Sequence, residues 1–297
     1  MKYIDRILAL QENVIGMNER NYRLINRLNP HKYQRIAKDK SICKKLLGEN
    51  GIPLPKTFCV IDSVRDIEKQ LDSIIHVMDF VVKPAAGSGG KGVLILAKVD
   101  NNLWETSEGK FYDRDKLVKH ISNILFGKFS SSTFDKAMIE YRVKPHPCFS
   151  QIYKAGLSDC RVIVLNGQPV MAMLRMPTDK SLGKANLKTG AIGLGIDLHK
   201  GRLTKGYNQA TDEMVSRHPD SKVLFEGLLV PYWERVKEIS VAVASVFPLN
   251  YLGVDLVFDE KLGPLVLDIN SRPGMQIQNA NATGLKKIIN NEIIEEI

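Results

Sequence analysis

Apolar residues recur along this chain at two periods, one helical and one alternating. Ile4, Ile7, Leu8 and Gln11 fall on one side of a helix that stops near Gly16. Asn18 can cap a second helix, with Leu24, Ile25 and Leu28 apolar and Arg20, Arg23 and Arg27 along another face. Asn29-Pro30 ends it. A third helix follows Asp39-Lys40, with Ile42, Cys43, Leu46 and Leu47 apolar and Lys44 and Lys45 expected in solvent. It stops at Gly48 or at Asn50-Gly51, before an extended Ile52-Pro-Leu-Pro55.

The pattern then mixes α and β. It predicts strands over 58–61, 79–83, 93–97 and 137–143, and helices over 64–75 and from Asp113 to about residue 125. The second half favours hairpins. Strands over 161–165 and 169–175 flank Asn166-Gly167, a strong two-residue turn signal. Residues 178–190 form a polar loop without periodicity. A helix over 232–247 precedes a last hairpin, 252–258 with 265–270. Antiparallel pairs mixed with helices give an α+β fold class.

The loop between the strands at 79–83 and 93–97 reads Lys83-Pro-Ala-Ala-Gly-Ser-Gly-Gly-Lys-Gly92. Gly87-x-Gly89-x-x-Gly92 has dinucleotide-fingerprint spacing, but a strand follows it where that fold needs a helix N-terminus. A P-loop is also excluded, because Ala85 and Gly92 stand where it needs Gly and Ser or Thr. A kinase loop would put its lysine on the following strand. What remains is a strand–glycine-loop–strand hairpin whose backbone N–H groups could lie over phosphates, with Lys83 as a point charge. A plain flexible surface hairpin is the alternative.

Asp255, Asp268 and Asn270 interrupt the two apolar strands of the last hairpin. Alternate residues share a face, so Asp268 and Asn270 point the same way, roughly 6.5–7 Å apart, and Asp255 can face them from the partner strand. Oxygen donors held in this way suit Mg²⁺, and a solvated acidic face is the alternative.

Composition sharpens the reading. The chain has 297 residues, 44% hydrophobic and 25% charged, which excludes disorder and allows about two domains. Its net charge is +9, yet Arg20 to Lys45 holds nine basic residues and one acid, leaving the rest close to neutral. A general nucleic-acid coat is therefore not expected. No apolar run reaches membrane-span length, the first residues do not resemble a secretory signal, and four scattered cysteines fit a reducing compartment. A cytoplasmic location is expected. His146-Pro-Cys148 reads as ordinary loop, not as a metal site.

Taken in order, Asp39-Lys40, the Ile52-Pro-Leu-Pro55 linker, Val82-Lys83-Pro84, the glycine loop, Ile139-Glu-Tyr-Arg-Val143, Asp159-Cys-Arg161, Arg175, Asn186-Leu-Lys-Thr-Gly190, Gly253-Val-Asp255 and Val266-Leu-Asp-Ile-Asn-Ser-Arg-Pro-Gly274 resemble the ATP-grasp superfamily, and within it the RimK-like α-L-glutamate ligases. The resemblance runs from about Lys38 to Gly284. It implies two α+β lobes that grip ATP, residues 38–143 and 144–297, preceded by a basic helical arm, 1–37. It implies that Lys40 and Lys83 contact nucleotide phosphates and that Gly87, Ser88, Gly89, Gly90, Lys91 and Gly92 form a mobile lid. Glu140, Tyr141 and Val143 would belong to the strand that meets adenine. Asp255, Asp268 and Asn270 would hold two Mg²⁺ ions, which Mn²⁺ could replace. Arg161 and Arg175 would flank the transferred phosphate, and Asn186 and Arg272 the substrate.

The implied activity is ATP-dependent carboxylate–amine ligation through an acyl phosphate, joining glutamate or another amino acid to a peptide, protein or small-molecule acceptor. A non-catalytic ATP-binding regulator or scaffold on the same frame is the alternative. Two departures stand out: only 37 residues precede the first lysine region where the family carries a whole domain, and Lys144-Pro-His-Pro-Cys-Phe149 lacks the acid the family uses at the ribose. The basic arm is expected to contact an acidic acceptor or a partner subunit, or to close one wall of the ATP cleft.

Overall fold

The computed structural model describes residues 12–87, 89–130 and 134–292. The helix expected over Ile4, Ile7, Leu8 and Gln11 lies outside them. Contacts divide the chain into two units: Lys38–Leu46 with Leu54–Val143, and the segment up to Ala37 with Leu47–Pro53 and the chain from Lys144 onward.

The first of these units is built on β1 (Thr57–Ile61), β2 (Asp79–Pro84), β3 (Leu94–Asp100), β4 (Leu103–Thr106), β5 (Phe111–Asp113) and β6 (Ala137–Tyr141), in the order β1-β6-β2-β3-β4-β5. Every neighbouring pair is antiparallel. β4 and β5 are absent from the sequence reading; at four and three residues they are too short to show alternation. The helix Arg114–Leu125 begins where expected, the Asp113 carboxylate accepting from Lys116 N at 2.8 Å. The expected helix over 64–75 divides into a 3₁₀ turn, Val64–Asp66, and the helix Ile67–Ser73. Ile67, Leu71, Leu117, Ile121 and Ile124 bury against Phe80, Val82, Leu96 and Ile139. Because strand side chains alternate, Lys83 and Glu140 point to the opposite face.

The second unit carries β7 (Asp159–Leu165), β8 (Gln168–Met176), β9 (Ile192–Ile196), β10 (Leu203–Asn208), β11 (Glu213–Val215), β12 (Tyr251–Asp259) and β13 (Gly263–Asn270). Their order is β11-β10-β9-β8-β7-β12-β13, again antiparallel throughout. Asn166 and Gly167 turn the β7–β8 hairpin with φ of 47° and 80°, the left-handed pair that suits the twist of the strands. β9 and β10 escape the sequence reading because Gly193, Gly195 and Gly206 dilute their apolar pattern, and β11 because it has only three residues. Gly195 is required by close packing: a Cβ there would stand 2.7 Å from the Ala280 carbonyl oxygen of the helix Gln276–Asn281. The helix Trp233–Val246 packs against β7, β8 and β12.

The arm packs on this second sheet. Gly16, not Asn18, is the N-cap of Met17–Glu19, which continues as a π-helical stretch, Arg20–Asn26. A helix absent from the sequence reading, His31–Lys38, follows. Ile15, Leu24 and Ile25 join Ile163, Leu165, Tyr251 and Ile277 in one core. Two buried amides fasten the arm. Gln278 accepts from Ile15 N at 3.0 Å and from Leu285 N at 2.8 Å, and donates to Ile15 O at 3.1 Å. Asn29 donates to Tyr251 O at 2.6 Å and Ser271 O at 3.1 Å, and accepts from Tyr251 N at 3.0 Å.

Asn29→Ala would strand a buried N–H and two carbonyls at the start of β12 and just after β13. Urea denaturation is expected to show a loss of about 2–4 kcal/mol; a loss within experimental error would mean that water replaces the amide.

Candidate functional site

In the first unit two of the expected nucleotide residues, Lys83 and Glu140, pair with each other. Lys83 Nζ on β2 lies 2.8 Å from Glu140 Oε2 on β6. Lys44 Nζ, from the helix Lys40–Glu49, lies 2.7 Å from Glu140 Oε1. That second approach falls outside hydrogen-bond angles, so it is an ion pair held by charge. Lys44 is 6% exposed, which corrects its expected solvent position. It sits one residue from Cys43 and three from Leu47, on the edge of the stripe the helix buries. Burial, with Lys83 beside it, pushes the Lys44 ammonium down to about 7 although Glu140 opposes. Burial also works against the Glu140 charge, but Lys83 and Lys44 outweigh it and hold the carboxyl below its usual range.

The helix bearing Lys44 is tied to the end of β2. Asp39 accepts from Ser41 N at 2.9 Å and Ile42 N at 3.2 Å, and Lys40 N donates to Ala85 O at 3.1 Å. The glycine loop follows directly. Gly89, Gly90 and Gly92 adopt φ of 65°, 73° and 72°, which L side chains rarely adopt, and Lys91 is exposed. Gly92 is held from behind: its carbonyl oxygen lies 3.0 Å from His120 Nε2, and a Cβ there would meet the Phe129 ring at 2.5 Å. Gly87 packs on Pro84, and Ser88 lies outside the described residues. Tyr141 ends β6, its N–H donating to Lys56 O at 2.8 Å, and Val143 is buried just beyond.

In the second unit a charged lattice crosses three strands. Asp255 on β12 stands opposite Arg161 on β7 and Asp268 on β13. Arg161 grips Asp255 with two bonds of 2.7 Å. Arg175 on β8 grips Asp159 with two very short bonds and reaches Asp255 at 2.9 Å. Asn270 donates to Asp255 Oδ2 at 3.0 Å, and Asp268 accepts from Ile269 N at 3.1 Å. Burial opposes the Asp255 charge, but Arg161 and Arg175 outweigh it and hold the carboxyl well below the usual range. Burial, with Asp255 beside it, lifts the Asp159 carboxyl to about 6 although Arg175 and Arg161 oppose. Asp159 and Lys44 are the two charged site residues given no role in the sequence reading. The period-2 spacing of Asp159 and Arg161 on one strand was the available signal for the first.

Two predicted residues do not join this lattice by any described contact. The Asn186 side chain caps the turn Leu187–Thr189, accepting from Lys188 N at 3.1 Å. Arg272 is exposed, its Nε 3.5 Å from Gln34 Oε1. Arg20 of the arm donates to the neighbouring Pro273 carbonyl at 3.0 Å. Among the described residues no group of three or more His, Cys, Asp or Glu side chains is gathered for a metal ion. No described helix is long and apolar enough to cross a membrane.

Residues 19–293 match the family described as Sugar-transfer associated ATP-grasp, and the chain belongs to that family. A probable alpha-L-glutamate ligase of Psychromonas ingrahamii is 25% identical over 244 residues, covering 81% of this chain and 57% of that relative. Beta-citrylglutamate synthase B of Homo sapiens is 23% identical, covering 77% of this chain and 42% of its own length. This chain therefore spans only about half the length of such relatives. Among solved structures, biotin carboxylase from Campylobacter jejuni superposes with a TM-score of 0.53 at 12% identity, over 86% of this chain and 46% of that one. The ATP-grasp ligase PsnB gives 0.51 at 14% identity, over 90% and 62%. The α+β, ATP-grasp expectation and the likeness to glutamate ligases both hold.

Two outcomes follow from the geometry. Arg175→Ala removes the cation hydrogen-bonded to Asp159 and is expected to cost about 3–5 kcal/mol by chemical denaturation; a cost near zero would mean that Asp159 is already neutral. For Lys44 the unfolded chain keeps its proton to about 10.5 and the folded chain only to about 7. Between those values the unfolded state binds more protons, so Lys44 makes stability rise with pH across that window. The stability of the wild type minus that of Lys44→Met should therefore increase between pH 6 and pH 9, and a constant difference would show an ordinary lysine.

Proposed function

We propose that this chain is an ATP-dependent carboxylate–amine ligase that adds glutamate or another amino acid to a peptide, protein or small-molecule acceptor. The reaction class is two displacements: a carboxylate oxygen displaces ADP from the γ-phosphorus, and an amine then displaces phosphate from the resulting acyl phosphate. The observation that carries the reading is the Arg161–Asp255–Arg175 lattice, set beside Asp268 and Asn270 on one sheet face. A carboxylate and a phosphate repel, so their approach needs fixed cations; bidentate bonds hold Arg161 and Arg175 in place for that, although Asp255 and Asp159 already balance their charge.

Each residue has a part in this reading. Lys40, Lys83 and the N–H groups of Gly87 to Gly92, with Ser88 and Lys91, bind phosphates. Glu140, Tyr141 and Val143 line the adenine side. Arg161 and Arg175 neutralise the transferred group, and Asn186 and Arg272 bind substrate. Asp255, Asp268 and Asn270 offer only oxygen ligands, the donor chemistry Mg²⁺ prefers. Asp255 Oδ2 takes three contacts and Oδ1 one, so Oδ1 keeps lone-pair capacity for an ion. These residues fit Mg²⁺, as two ions that Mn²⁺ could replace. When bound, the ions supply charge neutralisation at the phosphoryl oxygens. The arm, with Arg20, Arg23 and Arg27, would contact an acidic acceptor or a partner subunit. The family description, sugar-transfer associated, makes a sugar acid or an amino sugar a candidate for one of the two substrates.

The second reading, a non-catalytic ATP-binding regulator or scaffold, draws on the occupation of Asp255 by two arginines. One assay separates the two: ADP release with a panel of acids and amines that includes glutamate. Release that needs both an acid and an amine, and that falls by roughly 10²-fold or more in Lys83→Met and in Asp268→Ala, is expected of the ligase. Tight ATP binding with no turnover on any pair would favour the regulator.

A further inference from the structure

Glu140 is a buried carboxylate held between two cations. Its oxygens lie 2.7 Å from Lys44 and 2.8 Å from Lys83, and among the described residues no other group pairs with them. The three side chains are 3–10% exposed. Two positive charges and one negative charge buried together are costly. The excess can be removed in two ways: Lys44 gives up its proton, or an anion joins the cluster. Burial and the neighbouring Lys83 favour the first by pushing the Lys44 ammonium down to about 7.

The second solution rests on the nucleotide reading above. A phosphate that engages Lys83 draws that lysine's charge away from Glu140, and a neutral Lys44 would leave the carboxylate buried without a cation. We propose that Lys44 is a positioning residue for the nucleotide, taking over Glu140 as its counter-ion when Lys83 turns to a phosphate. Lys44 acts through Glu140 and does not itself touch the ligand. Charge balances: above pH 7 one proton passes from solvent to Lys44 Nζ as the anionic ligand arrives. The charged groups acting on Lys44 are Glu140 from β6 and Lys83 from β2. On its own helix Lys40 stands one turn earlier, and Asp39 at the helix start is paired with Lys136 at 3.4 Å. Nucleotide affinity should consequently fall as pH rises above 7, by at most about tenfold per pH unit while one proton is taken up.

The test is calorimetric titration of the full chain with Mg·ADP at pH 8, in buffers of different ionisation enthalpy. The wild type is expected to take up a fraction of a proton approaching one per nucleotide. Lys44→Met should take up none of it and bind several-fold more weakly, with an affinity that no longer changes between pH 7 and 9. Lys44→Arg, whose charge is permanent, should restore affinity without restoring uptake. Equal proton uptake by the wild type and Lys44→Met, or an Arg variant no better than Met, overturns the inference while leaving nucleotide binding intact. Absence of Mg·ADP and Mg·ATP binding by the wild type at every pH overturns the nucleotide reading and this inference with it.

Discussion

Arg161 meets Asp255 across β7 and β12 with two bonds of 2.7 Å, and much of the second unit depends on that pair staying in register. Both groups are largely withdrawn from water, so neither could be left without the other. Sliding β12 by one residue would turn Asp255 toward the opposite face and bring Val254 or Leu256 against Arg161. The same pairing fixes where Asp268 and Asn270 stand on β13 and where Arg175 must reach from β8. Arm and sheet meet on the continuation of this face, where Ile163, Leu165 and Tyr251 receive Leu24 and Ile25.

The two units bury charge by different chemistry. The lattice of Asp159, Arg161, Arg175 and Asp255 uses guanidinium groups, which stay protonated and bind carboxylates as a planar fork. Its geometry is rigid, and its adjustable member is Asp159, whose one bonded arginine, Arg175, also serves Asp255. The Lys44–Glu140–Lys83 cluster uses ammonium groups, which can lose a proton when buried. A site that must receive an anion and later release it gains from a cation that can change its charge. A site that must hold a developing transition state gains from cations that cannot.

Much of the framework was legible because it is encoded locally. Asp113 caps its helix, Asn166-Gly167 turns its hairpin, and the alternation around Asp255, Asp268 and Asn270 places all three on one face. The short strands β4, β5 and β11 and the glycine-diluted β9 and β10 carry too weak a periodic signal to stand out, and the amphipathic helix His31–Lys38 spans only eight residues with few apolar ones among them. Their existence is decided by what they pack on: the close approach of Gly195 to Ala280 is one such contact, and no local rule reports it.

The candidate site divides in the same way. The sequence by itself determined the identity and order of the charged groups, and therefore the resemblance to ATP-grasp ligases, since residue type and strand spacing are local properties. Only the tertiary structure decided their partners. Lys44 looked like a solvent lysine until β2 and β6 brought Lys83 and Glu140 to it, and Asp159 had no role until β8 delivered Arg175. A buried charge takes its state from groups about 3 Å away in space, and for Lys44–Glu140, Lys83–Glu140 and Asp159–Arg175 those lie 96, 57 and 16 residues away along the chain.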